Sequence, residues 1–163
     1  MLGSLLVMQE PDVRPEDAGG PGQGIDQLAF LVGGTWVARP ACTTTVAETC
    51  TWGLGKAVIF TKVEQKIDGR VGATAYGVFS YDPMAKVLRS HSVSSRGTAQ
   101  SAVEVESNAS TWIFKSTLVG SPAEQKRVTM KQVSADEMTV ASAPWSGGTP
   151  PLTLTYRRED GPP

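Results

Sequence analysis

The chain has a single histidine, His91, and it sits in the run Val87-Leu88-Arg89-Ser90-His91-Ser92-Val93. Side chains two apart on a strand share a face, so Arg89 and His91 stand side by side, bracketed by Val87 and Val93. With the valines turned inward, a guanidinium and an imidazole enter the protein interior together. A neutral imidazole beside a fixed cation suits an acidic or carbonyl-bearing ligand. In an enzyme, His91 could move a proton while Arg89 stabilises developing negative charge. In the opposite phase Leu88 is inside, the polar pair meets water, and Ser90, Ser92 and Ser94 are the small neutral residues of the inner face. Both phases are open to the sequence.

Other groups offer less chemistry. Serines are abundant, but no Gly-x-Ser-x-Gly elbow or comparable frame accompanies the histidine. Glu104 and Glu106 share a strand face with Gln100 and Ala102 and read as a solvated face rather than a general acid/base pair. Gly53-x-Gly55 lacks the Lys-Ser/Thr end of a P-loop, and also the third glycine and the helix of a dinucleotide fold. Asn108-Ala109-Ser110 fits the glycosylation pattern and equally a plain turn. Cys42 and Cys50 flank a loop, Thr43 to Thr49, that a disulfide could close; two free thiols on neighbouring strands fit nearly as well. With His91 far from both cysteines no zinc site is expected, and neither is any other metal or cofactor.

The aromatic residues could wall an apolar pocket. Trp112 and Phe114 alternate along one strand, and Trp52, Phe60, Tyr76 and Tyr156 could join them, although aromatics on a strand face more often pack a core. Ala73, Ala75 and Gly77 are more suggestive. Small side chains on one face remove volume, leaving either space for a ligand or room for aromatics from elsewhere.

The elements that position these groups follow from the period of the sequence. The chain of 163 residues is 40% hydrophobic and 19% charged, with 17 Gly and 11 Pro, the balance of a turn-rich globular domain. Its formal net charge of -1 provides no electrostatic footprint for nucleic acid. No apolar run is long enough for a membrane-spanning helix. Residues 1–24, rich in Pro and Gly, read as a flexible arm, and 159–163 as a disordered tail. Leu2 to Met8 is apolar but lacks the basic flank and cleavage site of a complete secretory signal, which leaves the stub of a trimmed one as an alternative.

Between the ends, Ile25 to Val32 carries the one short helical pattern, stopped by Gly33-Gly34. After it the period changes to two. Ala57 to Ile67 alternates and ends in Asp68-Gly69, a hairpin signal, and Arg70 to Tyr81 continues to a turn at Asp82-Pro83-Met84-Ala85. Strands then recur between turns: Lys86 to Ser94, Thr98 to Val105, Thr111 to Val119, Lys126 to Val133, Glu137 to Ser142 and Leu152 to Arg158. With Thr35 to Arg39 as the first, eight or nine strands form an antiparallel up-and-down meander, all-β, which removes its edges by closing into a barrel of about 8 to 10 strands. Such a barrel is either filled by side chains or just holds one small ligand.

The short helix before Gly34-Thr35-Trp36, together with Leu154-Thr155-Tyr156-Arg157-Arg158 at the end of the last strand, resembles the calycin superfamily of lipocalin-like barrels. In that group a first-strand Trp lies beneath a basic residue of the last strand and plugs one end. The resemblance implies a structural role for Gly34, Trp36, Arg157 and Arg158. Trp52-Gly53-Leu54-Gly55-Lys56, Gly77 to Pro83 and Lys86 to Arg89 are similar to an uncharacterised bacterial family of lipocalin-like proteins whose members are often exported. The likeness covers residues 25–158. It extends distantly to nitrobindin-like haem barrels and fatty-acid-binding-protein-like barrels. The haem branch uses a C-terminal His as its iron ligand, whereas this chain has no His after position 91.

The expectation is therefore a barrel over 25–158 that binds a small, largely apolar ligand, with a carboxylate or carbonyl group near Arg89 and His91. It would act as a monomer or homodimer, outside the cytoplasm, with a cytoplasmic protein as the alternative. Binding rather than catalysis is the leading function. A cofactor-independent cyclase or isomerase using His91 and Arg89 is the first alternative, and a packed barrel acting through its outer surface is the second.

Overall fold

A computed structural model describes residues 24–159. The proposed arm, except Gly24, and the tail beyond Glu159 lie outside the described residues, as does the apolar stretch Leu2 to Met8. Ten antiparallel strands close into one barrel in which each strand pairs with its sequence neighbours and β1 pairs with β10. They are β1 (Thr35–Ala41), β2 (Thr44–Gly53), β3 (Val58–Ile67), β4 (Arg70–Asp82), β5 (Val87–Ser94), β6 (Ala99–Asn108), β7 (Thr111–Leu118), β8 (Ser121–Gln132), β9 (Glu137–Pro144) and β10 (Leu152–Glu159). The closing seam pairs residues 35–37 of β1 with 157–159 of β10, which covers the strand edges at that end. Among the described residues no helix is long and apolar enough to cross a membrane.

The turns form where their chemistry demands. Asp68 and Gly69 both have positive φ, 50° and 74°, which the mirror-image hairpin turn requires. In the β4–β5 turn the Asp82 carboxylate accepts the backbone N–H groups of Met84 and Ala85 at 3.1 and 3.0 Å. Asn108 does the same for Ser110 at 3.1 Å, so the Asn-x-Ser triplet is a side-chain-stabilised turn between β6 and β7.

The sequence reading departs from the fold at β2. The segment that flanks the cysteines is not a loop but a strand of ten residues. Cys42 lies in the turn before it and is exposed, whereas Cys50 lies well along it, buried, and both thiols are free. An extended chain rises about 3.3 Å per residue, so the six steps of strand from Thr44 to Cys50 alone carry Cys50 far beyond the roughly 4.4–6.8 Å Cα separation a bridge needs. β8 likewise begins at Ser121, ahead of the Lys126 start expected from the sequence.

The helical pattern forms a 3-10 helix, Ile25–Leu31, with Ile25, Leu28 and Leu31 buried. It lies against the barrel end formed by the start of β1 and the end of β10. There the Trp36 indole N–H donates to the Leu31 carbonyl at 2.9 Å. The Arg158 guanidinium sits 4.6 Å above the Trp36 ring and donates to the carbonyls of Phe30, Val32 and Gly33. Its Nε is buried without a hydrogen bond, 3.5 Å from an Asp136 oxygen. Gly34 has φ of 75°, and a Cβ there would come within 3.0 Å of the Arg158 side chain, so a side chain is excluded twice over. The core gathers at this end. Trp36, Trp112, Leu28, Leu31, Ile59, Leu88 and Met138 are its largest fully buried side chains.

Arg157, next in sequence, faces outward, is 75% exposed and pairs with Glu137. Replacing Arg158 by Met should lower unfolding stability by about 1.5 to 3 kcal/mol, since it removes charge-assisted bonds to the part-buried Phe30 and Val32 carbonyls and the cation over the Trp36 ring. The same change at Arg157 should cost about 0.5 kcal/mol or less. Urea unfolding of the two variants checks the contrast, and equal effects would contradict this account of the plug.

Candidate functional site

Barrel register decides which residues face inward. Trp36 pairs with Glu48 on β2, and Glu48 with Val63 on β3. Val63 in turn pairs with Ala75, and Ala75 with Ser94. The next inward row runs Cys50, Thr61, Gly77 and Ser92, and the one beyond it Trp52, Ile59, Phe79, Ser90, Ala102 and Ser116. Paired residues lie on the same side of a sheet, so each row is a course of the inner wall.

That phase turns Leu88 inward, fully buried, and places Arg89 and His91 outside, both exposed. The expectation that Arg89 and His91 line the interior is corrected accordingly. Leu88 is drawn into the core at the plugged end, and the period of two carries Arg89 and His91 to the opposite face. Arg89 is held there by Asp82, Nη2 to Oδ2, at 2.9 Å. Phe60, 47% exposed, and Tyr76, 61% exposed, also face outward and are not pocket walls. The Phe60 ring lies over Gly53, where a Cβ would meet its Cε2 at 2.2 Å, so the ring fills the outer surface a side chain would otherwise occupy.

Trp52, Trp112, Phe114 and Tyr156 point inward, where they pack with the core. Trp112, Phe114 and Tyr156 are buried in the packed end. The Trp112 ring stacks on Phe30 at 5.2 Å between centroids, and its N–H donates to Gln27 at 2.8 Å, which ties β7 to the short helix. Trp52 is half-buried and packs against the same cluster.

The pair Glu104 and Glu106 does not share a face. The strand bulges between them, so Glu106 points outward while Glu104 is buried. The Glu104 carboxylate accepts the Leu88 backbone N–H at 2.7 Å, a structural task rather than a catalytic one.

Away from the plug the β4 and β5 part of the inner wall is built of small residues, while Gln65, Gln100, Leu118 and Lys126 share its rows from the neighbouring strands. Ala73, Ala75, Gly77, Ser90, Ser92, Ser94 and Ala102 face inward, yet all retain accessible surface. Gly77 is required by the weave: a Cβ there would lie 2.7 Å from Thr61 Oγ1 and 3.1 Å from the His91 carbonyl.

Between the packed end and this small-residue wall lies a group the sequence reading missed. Glu48 keeps some accessible surface, while its carboxyl lies deep among protein atoms, and desolvation there pushes its pKa from 4.5 up to about 7. The depth of the charge governs this value, because the penalty follows the protein surrounding the carboxyl rather than the rim of the side chain. The Cys50 thiol donates to Glu48 Oε1 at 3.8 Å, a weak bond that partly offsets the shift. Burial, and then the charge of Glu48, hold the Cys50 thiol far above the ordinary thiol range and Tyr156 above the ordinary phenol range. Cys50 and Tyr156 are therefore neutral around neutral pH, and Glu48 is the group of this cluster that exchanges a proton there. The signal for it was the alternation Val46, Glu48, Cys50, Trp52, which a disulfide loop concealed.

Among the described residues no cluster of His, Cys, Asp and Glu is arranged to hold a metal ion. The class of protein defined to this point is a closed ten-stranded antiparallel barrel, plugged at one end by a Trp–Arg clasp and carrying a proton-exchanging carboxyl on its inner wall. No protein-family model and no curated protein matches the chain.

Glu48 has a folded-state pKa above its unfolded value, so the fold binds more protons there than the unfolded chain between pH 4.5 and about 7. Its contribution is full below pH 4.5 and is lost as pH rises through that window, by about 3 kcal/mol. Glu48→Gln should remove this slope, leaving stability near that of the wild type at pH 4 and higher at pH 8. Denaturant melts across the pH series measure the difference, and a constant offset would contradict the shift.

Proposed function

We propose that the chain binds a small, largely apolar molecule inside the barrel, in the half away from the Trp36 plug. The supporting observation is the contrast between the two halves of the inner wall. The large buried side chains gather at the plugged end, whereas Ala73, Ala75, Ser92 and Ser94 face inward and stay partly accessible. A wall of small side chains with surface to spare is the arrangement that leaves room for a ligand. Burial of ligand surface at about 25 cal/mol per Å2 would supply the affinity, and a few polar groups the orientation.

The polar group in this reading is Glu48 in place of Arg89 and His91. A carboxyl half-protonated near pH 7 can donate to a carbonyl or accept from a hydroxyl, so a neutral oxygenated ligand fits it better than a carboxylate. The lipocalin-like kinship remains part of the proposal, supported by the Arg158 guanidinium lying over Trp36. With Cys42 and Cys50 unpaired, the disulfide argument for export falls away.

The Glu48 pKa of about 7 favours a second reading, an isomerase-type enzyme in which Glu48, not His91, moves the proton. The two readings separate at Glu48→Gln, which should keep ligand affinity in both and abolish turnover in the second.

The binding reading is tested by titrating intrinsic tryptophan fluorescence with a panel of long-chain ketones, isoprenoid alcohols and fatty acids. A saturable response to at least one neutral compound is expected. Ala75→Phe, which fills the inner wall, should weaken it by about tenfold or more, about 1.4 kcal/mol, while outward Tyr76→Ala leaves it unchanged. Indifference across the panel, or undiminished binding by Ala75→Phe, would overturn the proposal.

A further inference from the structure

The outer surface of β5 to β8 carries a concavity of about 270 Å3, on the opposite face of the sheet from the proposed ligand space. Register explains its shape. His91, Ser101, Thr117 and Gln125 form one outward row across the four strands, and Arg89, Val103 and Lys115 lie in the next. Ser101, Val103 and Thr117 are short and make the floor, while the longer Arg89, His91, Lys115 and Gln125 make the walls. The arrangement brings Arg89 and His91 together with a lysine from β7, a juxtaposition that their own strand does not disclose.

Its lining carries two cations, Lys115 and Arg89, of which Arg89 is shared with Asp82. Among the described residues lining the groove there is no carboxylate. Two acids on adjoining strands are engaged: Asp82 takes Nε and Nη2 of Arg89 at 3.0 and 2.9 Å, and Glu106 lies 3.7 Å from Arg127. The Asp82 contact fixes the guanidinium in place and leaves Nη1 without a partner among the described residues. Lys115 Nζ lies 5.2 Å from the centre of the Trp145 ring, and Trp145 is anchored by its backbone N–H to the Gln125 carbonyl at 2.9 Å. An ammonium, a guanidinium, an imidazole and two hydroxyls therefore surround one hollow, with an exposed indole near the ammonium.

We infer that this groove is a binding site for a small phosphate monoester. Two fixed cations and additional neutral donors match a dianion with several acceptor oxygens better than a monocarboxylate, and Arg and Lys are the usual partners of phosphate. The volume exceeds what a bare phosphate fills, which leaves room for an organic body extending toward the Trp145 face. The site is independent of the interior one, since the sheet separates them.

The single histidine makes the test direct, because His91 contributes the one imidazole signal of the chain. The full chain is titrated with phenyl phosphate, inorganic phosphate and benzoate in separate arms at fixed pH and ionic strength, and the His91 ring resonances are followed by NMR. A saturable shift is expected with phenyl phosphate, weaker with inorganic phosphate and weakest with benzoate. Lys115→Gln and Arg89→Gln should each weaken it by about tenfold with the remaining spectrum intact, whereas Glu48→Gln should leave it unchanged. No saturable shift at millimolar phenyl phosphate, benzoate binding as well as the phosphate ester, or full affinity in both cationic variants would each overturn the inference.

Discussion

The structure depends on a single clasp. The Arg158 guanidinium covers the Trp36 ring and holds three carbonyls of the chain that leads from the short helix into β1. It thereby joins the first strand, the last strand and the helix at the point where the barrel must close. A cation on an indole face contributes about 0.5 to 2 kcal/mol, and charge-assisted bonds to the part-buried Phe30 and Val32 carbonyls add to it. The helix is too short to be stable alone, so its place is set by this contact and by Leu28 and Leu31 beneath it. Once the clasp fixes one end, the large side chains of neighbouring strands pack against it, and at the other end β4 and β5 line the interior with small residues.

The same phase governs the electrostatics. Leu88 at the core dictates that its neighbours Arg89 and His91 lie outside, so the guanidinium and the imidazole of β5 serve the outer surface. Trp36 dictates that Glu48 and Cys50 lie inside, where desolvation keeps the thiol protonated and brings the carboxyl into the physiological pH range. Inner and outer faces thus carry different chemistry from adjacent residues of the same strands, a proton-exchanging acid on one side and a cationic groove on the other.

Much of the architecture was legible in the sequence. Alternation and turn residues such as Asp68-Gly69 and Asp82-Pro83 gave the all-β barrel, because period and turn chemistry are local properties. A resemblance pointed to Trp36 and a basic residue at Arg157 or Arg158, and the structure places Arg158 on the Trp36 ring and turns Arg157 outward. The phase of β5 was not legible: Val87 and Val93 on one face weigh about as much as Leu88 on the other, and the core contact that breaks the tie lies in distant strands. β2 was hidden because Thr-rich sequence between two cysteines reads as a loop, and Glu48 was hidden with it. Glu104 looked solvated because the bulge at Val105, which separates it from Glu106, leaves no mark in the local pattern.

The central claim is that the inner wall away from the clasp borders space rather than packed atoms. Thiol accessibility measures this directly, with native Cys50, 3% exposed, as the internal reference. In a Cys42→Ser background, a cysteine introduced at Ser92 should react with a small charged thiol reagent in the folded protein at nearly the rate of an unfolded one, while Cys50 stays protected until unfolding. An introduced thiol as slow as Cys50 would mean a solid interior, and the ligand space proposed for this barrel would not exist.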